Sequence, residues 1–334
     1  MFGLDDNRSC HLVNDKEIAE NVRRLSGVDA SNGPSDEKVL AAVSGFVQAF
    51  DYWYIRVMRQ SVPKYRDLVI KRINPFIRRM EFDGMDVAAT AHRLIEDYNN
   101  RNFVTAGGWA LEAMAVTISL DVQKSGTAGV DLQRFDPSTG DYHLYVLKSG
   151  LVTRNSDIVS ALKTNSRKAE KLLHQGRTTG NVHLNWAITA GKTSSTFEDG
   201  IRRPSSAEFW SEMTGLAQDS AIELVLGIAA EAGRLVRRDA DLHLKALKAL
   251  VASYIAVRCE SAVVDWDFIT RRNMRPADVW KSEDFIRHRE ALQTLAATGY
   301  SFVPSDKAHS RSALLATRKA KAEKSNNRRR GTKK

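Results

Sequence analysis

Apolar residues recur every three or four positions over much of the chain, a spacing that predicts helices. The segment from Asp36 to about Asn100 follows this period, and a further helix is predicted over Thr105 to Leu120. The same spacing predicts helices from Ala207 to about Tyr300. The pattern alone therefore favours a largely helical protein.

The pattern changes in the middle of the chain, where short runs rich in β-branched and aromatic residues appear. Two runs, Val130 to Phe135 and Tyr142 to Leu147, flank six residues dense in turn formers and predict a β-hairpin. A third strand is predicted over Val182 to Ala190. Between them a helix is predicted to begin near Ser156 or Asp157 and to end by Gly176. Its inner side is predicted to carry six apolar residues: Ile158, Val159, Leu162, Ala169, Leu172 and Leu173.

The order helix, strand, strand, helix, strand, helices predicts an α/β core wrapped by helical additions at its N- and C-terminal sides. We divide the chain into five segments on this basis. They are a polar N-terminal segment (1–34), a helical lead-in (35–101), the core (102–227), a helical C-terminal region (228–305) and a basic, low-complexity tail expected to be disordered (306–334).

Composition narrows the class of protein. A hydrophobic content of 43% is enough for a core, and two cysteines are too few for a disulfide framework, which indicates a reducing compartment. The N-terminus carries acidic residues where a signal peptide needs a basic flank, so we expect a cytoplasmic protein. The most apolar stretch, Phe103 to Leu120, is interrupted by glycines and a glutamate, so we expect a buried helix and no membrane span.

The net charge of +10 is weaker evidence for a nucleic-acid partner than its size suggests, because most of the excess lies in the tail. The last 29 residues, from Asp306, hold 11 Lys and Arg against 2 Asp and Glu, which leaves 39 basic and 38 acidic residues in the rest of the chain. The tail either attracts DNA phosphates loosely or acts as a solubilising extension.

The predicted hairpin brings an acid and a lysine together. If its turn is centred between Ser138 and Thr139, Asp131 lies opposite Val146, and Lys148 lies two residues beyond Val146 on the same face. A carboxylate that binds Mg²⁺ beside an ammonium is suited to phosphodiester hydrolysis. A surface ion pair between the two residues would produce the same pattern.

Glu112 is the one charged residue between Phe103 and Leu120. A carboxylate among apolar neighbours is costly unless something compensates its charge, and the sequence offers it no partner. Two interpretations stay open: Glu112 binds a metal, or it lies at the exposed edge of a buried helix.

Basic and aromatic residues supply further candidates for DNA contact. Lys163, Arg167 and Lys171 are spaced by four and form one stripe of a helix, which faces either phosphates or solvent. Trp53 is either a stacking surface for a base or a core residue.

Taken together, these motifs resemble the core of PD-(D/E)XK nucleases. The motifs are Glu112 on a helix, the strand Gly129-Val130-Asp131-Leu132, and the segment from Tyr145 to Gly150 with a loop that contains Asn155. The resemblance is closest to type II restriction endonucleases whose second motif reads Lys-Ser-Gly. Two further motifs support it over roughly Phe103 to Gly227, namely Gln123-Lys124-Ser125-Gly126 and Glu208-Phe209-Trp210 followed by Thr214-Gly215.

The resemblance implies a restriction-endonuclease-like fold, a mixed sheet flanked by helices, with the nuclease core at 102–227. It implies that Asp131 is the metal-binding acid, Lys148 the catalytic lysine and the Leu147 carbonyl a further metal ligand. The usual acidic residue two before the lysine is replaced by Val146, and we expect Glu112 to supply the missing carboxylate. The candidate DNA-binding residues are Lys124, Ser125, Ser149, Asn155, Lys163, Arg167 and Lys171.

We therefore expect a Mg²⁺-dependent endonuclease acting on double-stranded DNA in restriction or anti-phage defence, with Mn²⁺ as an alternative ion. A homodimer is expected because both strands of a two-fold substrate must be cut, and a partner protein of a defence system is a further expectation. The alternative, raised by Val146, is a catalytically inactive DNA-binding or assembly subunit that retains the nuclease fold.

Overall fold

A computed structural model describes residues 15–82, 84–119, 121–150, 156–175, 180–257 and 263–300. Cys10, Asn155, Cys259 and the basic tail lie outside these residues. The described α-helices are α1 (Asp15–Ser26), α2 (Asp36–Phe50), α3 (Arg56–Ser61), α4 (Tyr65–Ile70), α5 (Pro75–Phe82), α6 (Val87–Ile118), α7 (Ser156–Gln175), α8 (Ser206–Thr214), α9 (Gln218–Ile255), α10 (Trp266–Met274) and α11 (Lys281–Ala297).

The helices differ from the prediction mainly in their continuity. The last part of the predicted lead-in and the helix from Thr105 join into α6, a single helix of 32 residues, while α2 to α5 form the earlier part of the lead-in. α1 lies in the N-terminal segment, where no helix was predicted. The expectation that Phe103 to Leu120 is wholly buried is wrong at its beginning, because Phe103, Val104 and Trp109 are exposed. None of the helices in the described residues is long and apolar enough to cross a membrane.

The strands form one mixed sheet, as the fold class predicted. Its strands are β1 (Val122–Lys124), β2 (Leu132–Phe135), β3 (Tyr142–Lys148), β4 (Val182–Ile188), β5 (Thr196–Glu198) and β6 (Ile201–Arg203), in the spatial order β1-β2-β3-β4-β6-β5. β4 pairs in parallel with β3 and β6, while the other three pairings are antiparallel. β1 replaces part of a predicted polar loop, and β5 and β6 were not predicted because three residues carry too little alternation.

The register of the hairpin is confirmed. Leu132 pairs with Tyr145 and Phe135 with Tyr142, as expected for a turn centred between Ser138 and Thr139. Gly140 adopts a positive φ of 78° in this turn, a backbone conformation that favours glycine.

Alternating side chains of the sheet enter two hydrophobic cores. The first core contains Leu132, Tyr145 and Ala187 together with residues of α6, α8 and α9. The second core contains Leu144, Val146, Trp186 and Ile188 together with Leu162 and Ala169 of α7. Because both faces of β3 and β4 are covered, these central strands are apolar on both sides.

α7 covers the second core largely as predicted. Leu162 and Ala169 are buried, and Val159 and Leu173 pack against them. The prediction is wrong for Leu172, which is 56% exposed. On a helix with 100° per residue, Leu172 lies about 60° from Ala169 on the side away from Leu173, which places it at the margin of the buried stripe.

The chain divides into two compact units whose boundaries fall inside α3, α6 and α9. The first unit contains the sheet and both cores. The second unit is helical and is built around a buried polar network, in which Asp284 pairs with Arg66 and Arg272 and accepts a hydrogen bond from Tyr254.

Leu132→Ala is expected to lower the free energy of unfolding by about 2–5 kcal/mol, because it opens a cavity in the first core. Leu172→Ala provides the matched control, since this leucine is exposed, and should change stability by about 0.5 kcal/mol or less. Chemical denaturation followed by circular dichroism measures both. Equal losses in the two variants would contradict the assignment of buried and exposed faces.

Candidate active site

Asp131 lies at the open end of the hairpin, directly before β2. Its main-chain N–H donates to the carbonyl of Tyr145 over 2.9 Å, and its own carbonyl accepts from the Ser125 N–H over 3.0 Å. If the regular pairing of β2 with β3 continued, Asp131 would pair with Val146. Its N–H instead bonds to Tyr145, which already pairs with Leu132, so the ladder shifts by one residue at Asp131. The regular pairing ends at Leu132 and Tyr145, and the predicted pair of Asp131 and Val146 falls one residue outside it.

The shifted ladder gives the Asp131 carboxylate a defined position. Its Oδ2 accepts a hydrogen bond from the main-chain N–H of Leu147 over 2.7 Å. The side chain thus occupies the place that a main-chain carbonyl would take in a regular ladder. Asp131 is half-buried, so its carboxylate is fixed at the strand end while still reachable from solvent.

Lys148 is the last residue of β3, where it pairs with Ile188 of β4. Its carbonyl accepts hydrogen bonds from the N–H of Thr189 over 2.9 Å and from the Thr189 hydroxyl over 3.3 Å. The indole N–H of Trp210 on α8 donates to the carbonyl of Thr189 over 2.9 Å. Trp210 entered the sequence argument as part of a motif, and this link to the lysine backbone was not predicted.

The ammonium of Lys148 makes no ion pair or hydrogen bond with the part of the chain that the structure describes. The surface ion pair with Asp131, one of the two interpretations of the sequence pattern, is not formed there. A half-buried lysine without a carboxylate partner is available to contact an anionic ligand.

Val146 is 5% exposed and packs in the second core, where it can bind no metal. The hairpin therefore presents one carboxylate, that of Asp131, at the position where the resembling nucleases carry two acids.

Glu112 on α6 is buried, but the premise that it lacks a partner is wrong. Its Oε1 lies 2.8 Å from Nζ of Lys124, the last residue of β1. The side chain of Glu112 is 10% exposed and that of Lys124 is 65% exposed, so the lysine reaches inward from the surface to compensate the carboxylate. The two residues lie 12 positions apart, across the α6–β1 connection, and their contact depends on the tertiary fold.

An aromatic pair adjoins this ion pair. Trp109, one turn before Glu112 on α6, stacks on Trp53 with ring centroids 5.1 Å apart. Trp53 lies in a π-helical turn, Asp51–Ile55, and is 37% exposed, so the interpretation of Trp53 as a core residue is wrong. Nζ of Lys124 lies 5.2 Å from the Trp109 ring centroid, a cation–π distance.

The remaining candidate DNA-binding residues lie on two surfaces. Ser149 is exposed beside Lys148, and Ser125 is half-buried next to Asp131. On α7, Arg167 and Lys171 are exposed, whereas Lys163 lies 4.0 Å from a carboxylate oxygen of Asp199. Asn155 lies outside the described residues.

A partly buried polar network that sequence reasoning missed supports β3 from the side of the first core. The Tyr145 hydroxyl donates to Oε2 of Glu212 on α8 over 3.1 Å, and Glu212 also pairs with Arg202 of β6. Burial raises the pKa of Tyr145, and the neighbouring Glu212 carboxylate adds to this effect, so the phenol stays a neutral donor. The network ties three elements together beneath the hairpin.

Within the described ranges, no group of three or more His, Cys, Asp and Glu side chains is arranged to hold a metal ion. Asp131 and Glu112, the two carboxylates predicted to bind metal, therefore do not belong to such a group there. Among the described residues, the site thus combines a mixed sheet, the carboxylate of Asp131 at a strand end and the ammonium of Lys148 without an ion-pair partner.

Comparison with known proteins assigns the chain to a class and then to a family. The class is that of type II restriction endonucleases. A family model described as "Type II restriction endonuclease EcoO109I" matches residues 50–234, more than half of the chain, and the chain belongs to this family. No curated protein matches the chain. The predicted resemblance is confirmed, and membership implies that the protein cleaves DNA in restriction.

Gly129→Ala is expected to disturb Asp131 two residues away. Gly129 has a φ of +81°, and a Cβ there would meet Nδ2 of Asn165 on α7 at 2.0 Å. We expect a loss of about 1–3 kcal/mol in the free energy of unfolding, together with slower DNA cleavage.

Gly126→Ala is the matched control, because its Cβ would meet nothing within 4 Å and its φ is not positive. Denaturation and plasmid cleavage are measured on both variants. Equal effects of the two substitutions on stability and cleavage would contradict the role of Gly129 in positioning Asp131.

Proposed function

We propose that the protein hydrolyses phosphodiester bonds in double-stranded DNA with Mg²⁺ as cofactor, at the open end of the β2–β3 hairpin. The observation that carries this proposal is the Asp131 carboxylate, held 2.7 Å from the Leu147 N–H, one residue before Lys148. Membership of a restriction endonuclease family supports DNA as the substrate.

The residues at the hairpin suit a Mg²⁺ ion. Asp131 uses Oδ2 for its hydrogen bond to Leu147, and among the described residues Oδ1 has no hydrogen-bond donor. The N–H and C=O of one strand residue point to the same neighbouring strand, so the Leu147 carbonyl faces the side on which Asp131 lies. Mg²⁺ is commonly bound by one or two carboxylates with water and substrate phosphate, and a large cage of acids is not required.

Each residue has a distinct role in this proposal. Asp131, the Leu147 carbonyl and Glu112 hold Mg²⁺, with Mn²⁺ as an alternative ion. The chemistry that the metal supplies when bound is neutralisation of phosphate charge and activation of water. Lys148 orients the attacking water or stabilises the negative charge that develops on the phosphate. Its position is maintained by Thr189, which holds the Lys148 carbonyl.

Contacts to DNA outside the reacting phosphate are proposed for two sets of residues. Lys124, Ser125 and Ser149 lie near the hairpin end, and Lys163, Arg167 and Lys171 follow α7. Asn155 completes the set from the sequence motif. A homodimer is proposed because duplex DNA presents two strands related by a two-fold axis, and a partner protein of the defence system is a further proposal.

Lys148→Ala is expected to slow cleavage of plasmid DNA with Mg²⁺ or Mn²⁺ by about 100-fold or more, since an ammonium that stabilises transition-state charge is removed. DNA binding, measured by gel shift, should persist. Lys71→Ala, at an exposed lysine paired with Asp67, is the control and should cut normally.

Normal cutting by Lys148→Ala would refute the proposed catalytic role. The alternative of an inactive DNA-binding subunit is suggested by the apolar Val146. It predicts a different result, in which wild type and variant both bind DNA and neither cuts.

Glu112→Gln is expected to abolish Mg²⁺-dependent cleavage, because the amide keeps the shape of the side chain and loses its charge. Glu223→Gln, an exposed glutamate on α9, serves as the control and should retain activity. Cleavage is followed across a titration of Mg²⁺. Unimpaired cutting by Glu112→Gln would exclude this carboxylate as a metal ligand.

A further inference from the structure

Lys124 and Glu112 differ in their freedom to move. The Glu112 side chain is 10% exposed and belongs to the long helix α6, so its carboxylate has little freedom to move. The Lys124 side chain is 65% exposed, and its ammonium ends a long flexible stem. In this ion pair the carboxylate is fixed, and the cation is the partner that can leave.

Lys124 also lies beside the proposed active site. It pairs with Leu132 across β1 and β2, and the N–H of the next residue, Ser125, donates to the carbonyl of Asp131 over 3.0 Å. Lys124 is thus one ladder position from the metal-binding acid. A DNA phosphate bound at the hairpin end would therefore be an anion close to the end of β1, where Lys124 lies.

We propose that Lys124 is an exchangeable counter-ion. In the protein without metal and DNA it neutralises Glu112, and when a divalent cation binds Glu112 the ammonium transfers to a DNA phosphate. The inference rests on the proposed role of Glu112 as a metal ligand and adds that metal binding and DNA binding are coupled through Lys124.

Electrostatics gives the coupling its direction. A buried carboxylate needs a compensating cation, which Lys124 provides in the absence of metal. An ammonium and a divalent cation repel each other at one carboxylate, so metal binding displaces the lysine. The released ammonium finds its new partner in a phosphate, so each ligand raises the affinity of the other.

The aromatic pair gives the resting position of Lys124 a second contact. The Trp109 ring lies 5.2 Å from Nζ, and Trp53 stacks on Trp109 at 5.1 Å. Trp109 and Glu112 lie three residues apart on α6, and both contact the ammonium. Trp109 therefore helps to define the position of Lys124 before the exchange.

Calorimetric titration of Mn²⁺ into the DNA-free full-length protein tests the exchange. Lys124→Met removes the competing ammonium and should tighten Mn²⁺ binding by about three- to tenfold. Lys124→Arg offers Glu112 a two-pronged partner and should weaken Mn²⁺ binding. Lys71→Met is the control, since Lys71 also has an acidic partner, Asp67 at 3.1 Å, and has no proposed role at the site, and it should leave Mn²⁺ affinity unchanged.

The salt dependence of DNA binding provides a second readout. With Ca²⁺, which shares the preference of Mg²⁺ for oxygen ligands, Lys124→Met should reduce the slope of log affinity against log salt by about 0.9, the value for one phosphate contact. With EDTA the slope should not change, because Glu112 then retains the lysine.

The outcomes separate the exchange from the proposed function. Unchanged Mn²⁺ affinity in both Lys124 variants, with weaker binding in Glu112→Gln, would overturn the exchange and leave Glu112 as a ligand. Unchanged affinity in Glu112→Gln would overturn the ligand role itself. An equal loss of slope with Ca²⁺ and with EDTA would identify Lys124 as a permanent phosphate contact, which also overturns the exchange. If Lys124→Met does not fold, the weaker Mn²⁺ binding expected for Lys124→Arg still tests the exchange.

Discussion

The arrangement of the proposed active site depends on one hydrogen bond, donated by the main-chain N–H of Leu147 to the carboxylate of Asp131 over 2.7 Å. It joins the start of β2 to the end of β3 at the point where the regular ladder shifts. Because the bond uses the main chain of β3, the acid is positioned by the strand that carries Lys148. The carboxylate and the lysine are therefore set by the same short piece of backbone.

The rest of the first unit keeps that piece of backbone in place. β4 pairs along the whole of β3. Thr189 donates hydrogen bonds to the carbonyl of Lys148, and Trp210 donates one to the carbonyl of Thr189. Tyr145 is buried in the first core and Val146 in the second, so β3 is packed on both faces. This packing explains how a valine is accommodated where related nucleases carry an acid, since the position faces a continuous apolar layer.

The ion pair of Glu112 and Lys124 changes how the burial of the Glu112 carboxylate is interpreted. A glutamate in an apolar stretch suggests a metal because its charge must be compensated. The fold compensates it with a lysine from a neighbouring strand, so burial alone does not identify a metal ligand here. The proposed metal role of Glu112 then requires that the lysine can leave, and the exposure of Lys124 makes such an exchange physically accessible.

The sequence by itself determined the features that depend on local pattern. The alternation of apolar residues and the turn residues were sufficient to predict the β2–β3 register, and the helical period was sufficient to predict α7. The order of the short motifs was sufficient to predict the restriction endonuclease family. Only the tertiary structure decided the partner of Glu112, the shifted ladder at Asp131, the exposure of Trp53 and Leu172, and the hydrogen bond from α8 to Thr189 at the end of β4. These features arise from contacts between distant segments, whose distances and directions no local spacing of residues can encode.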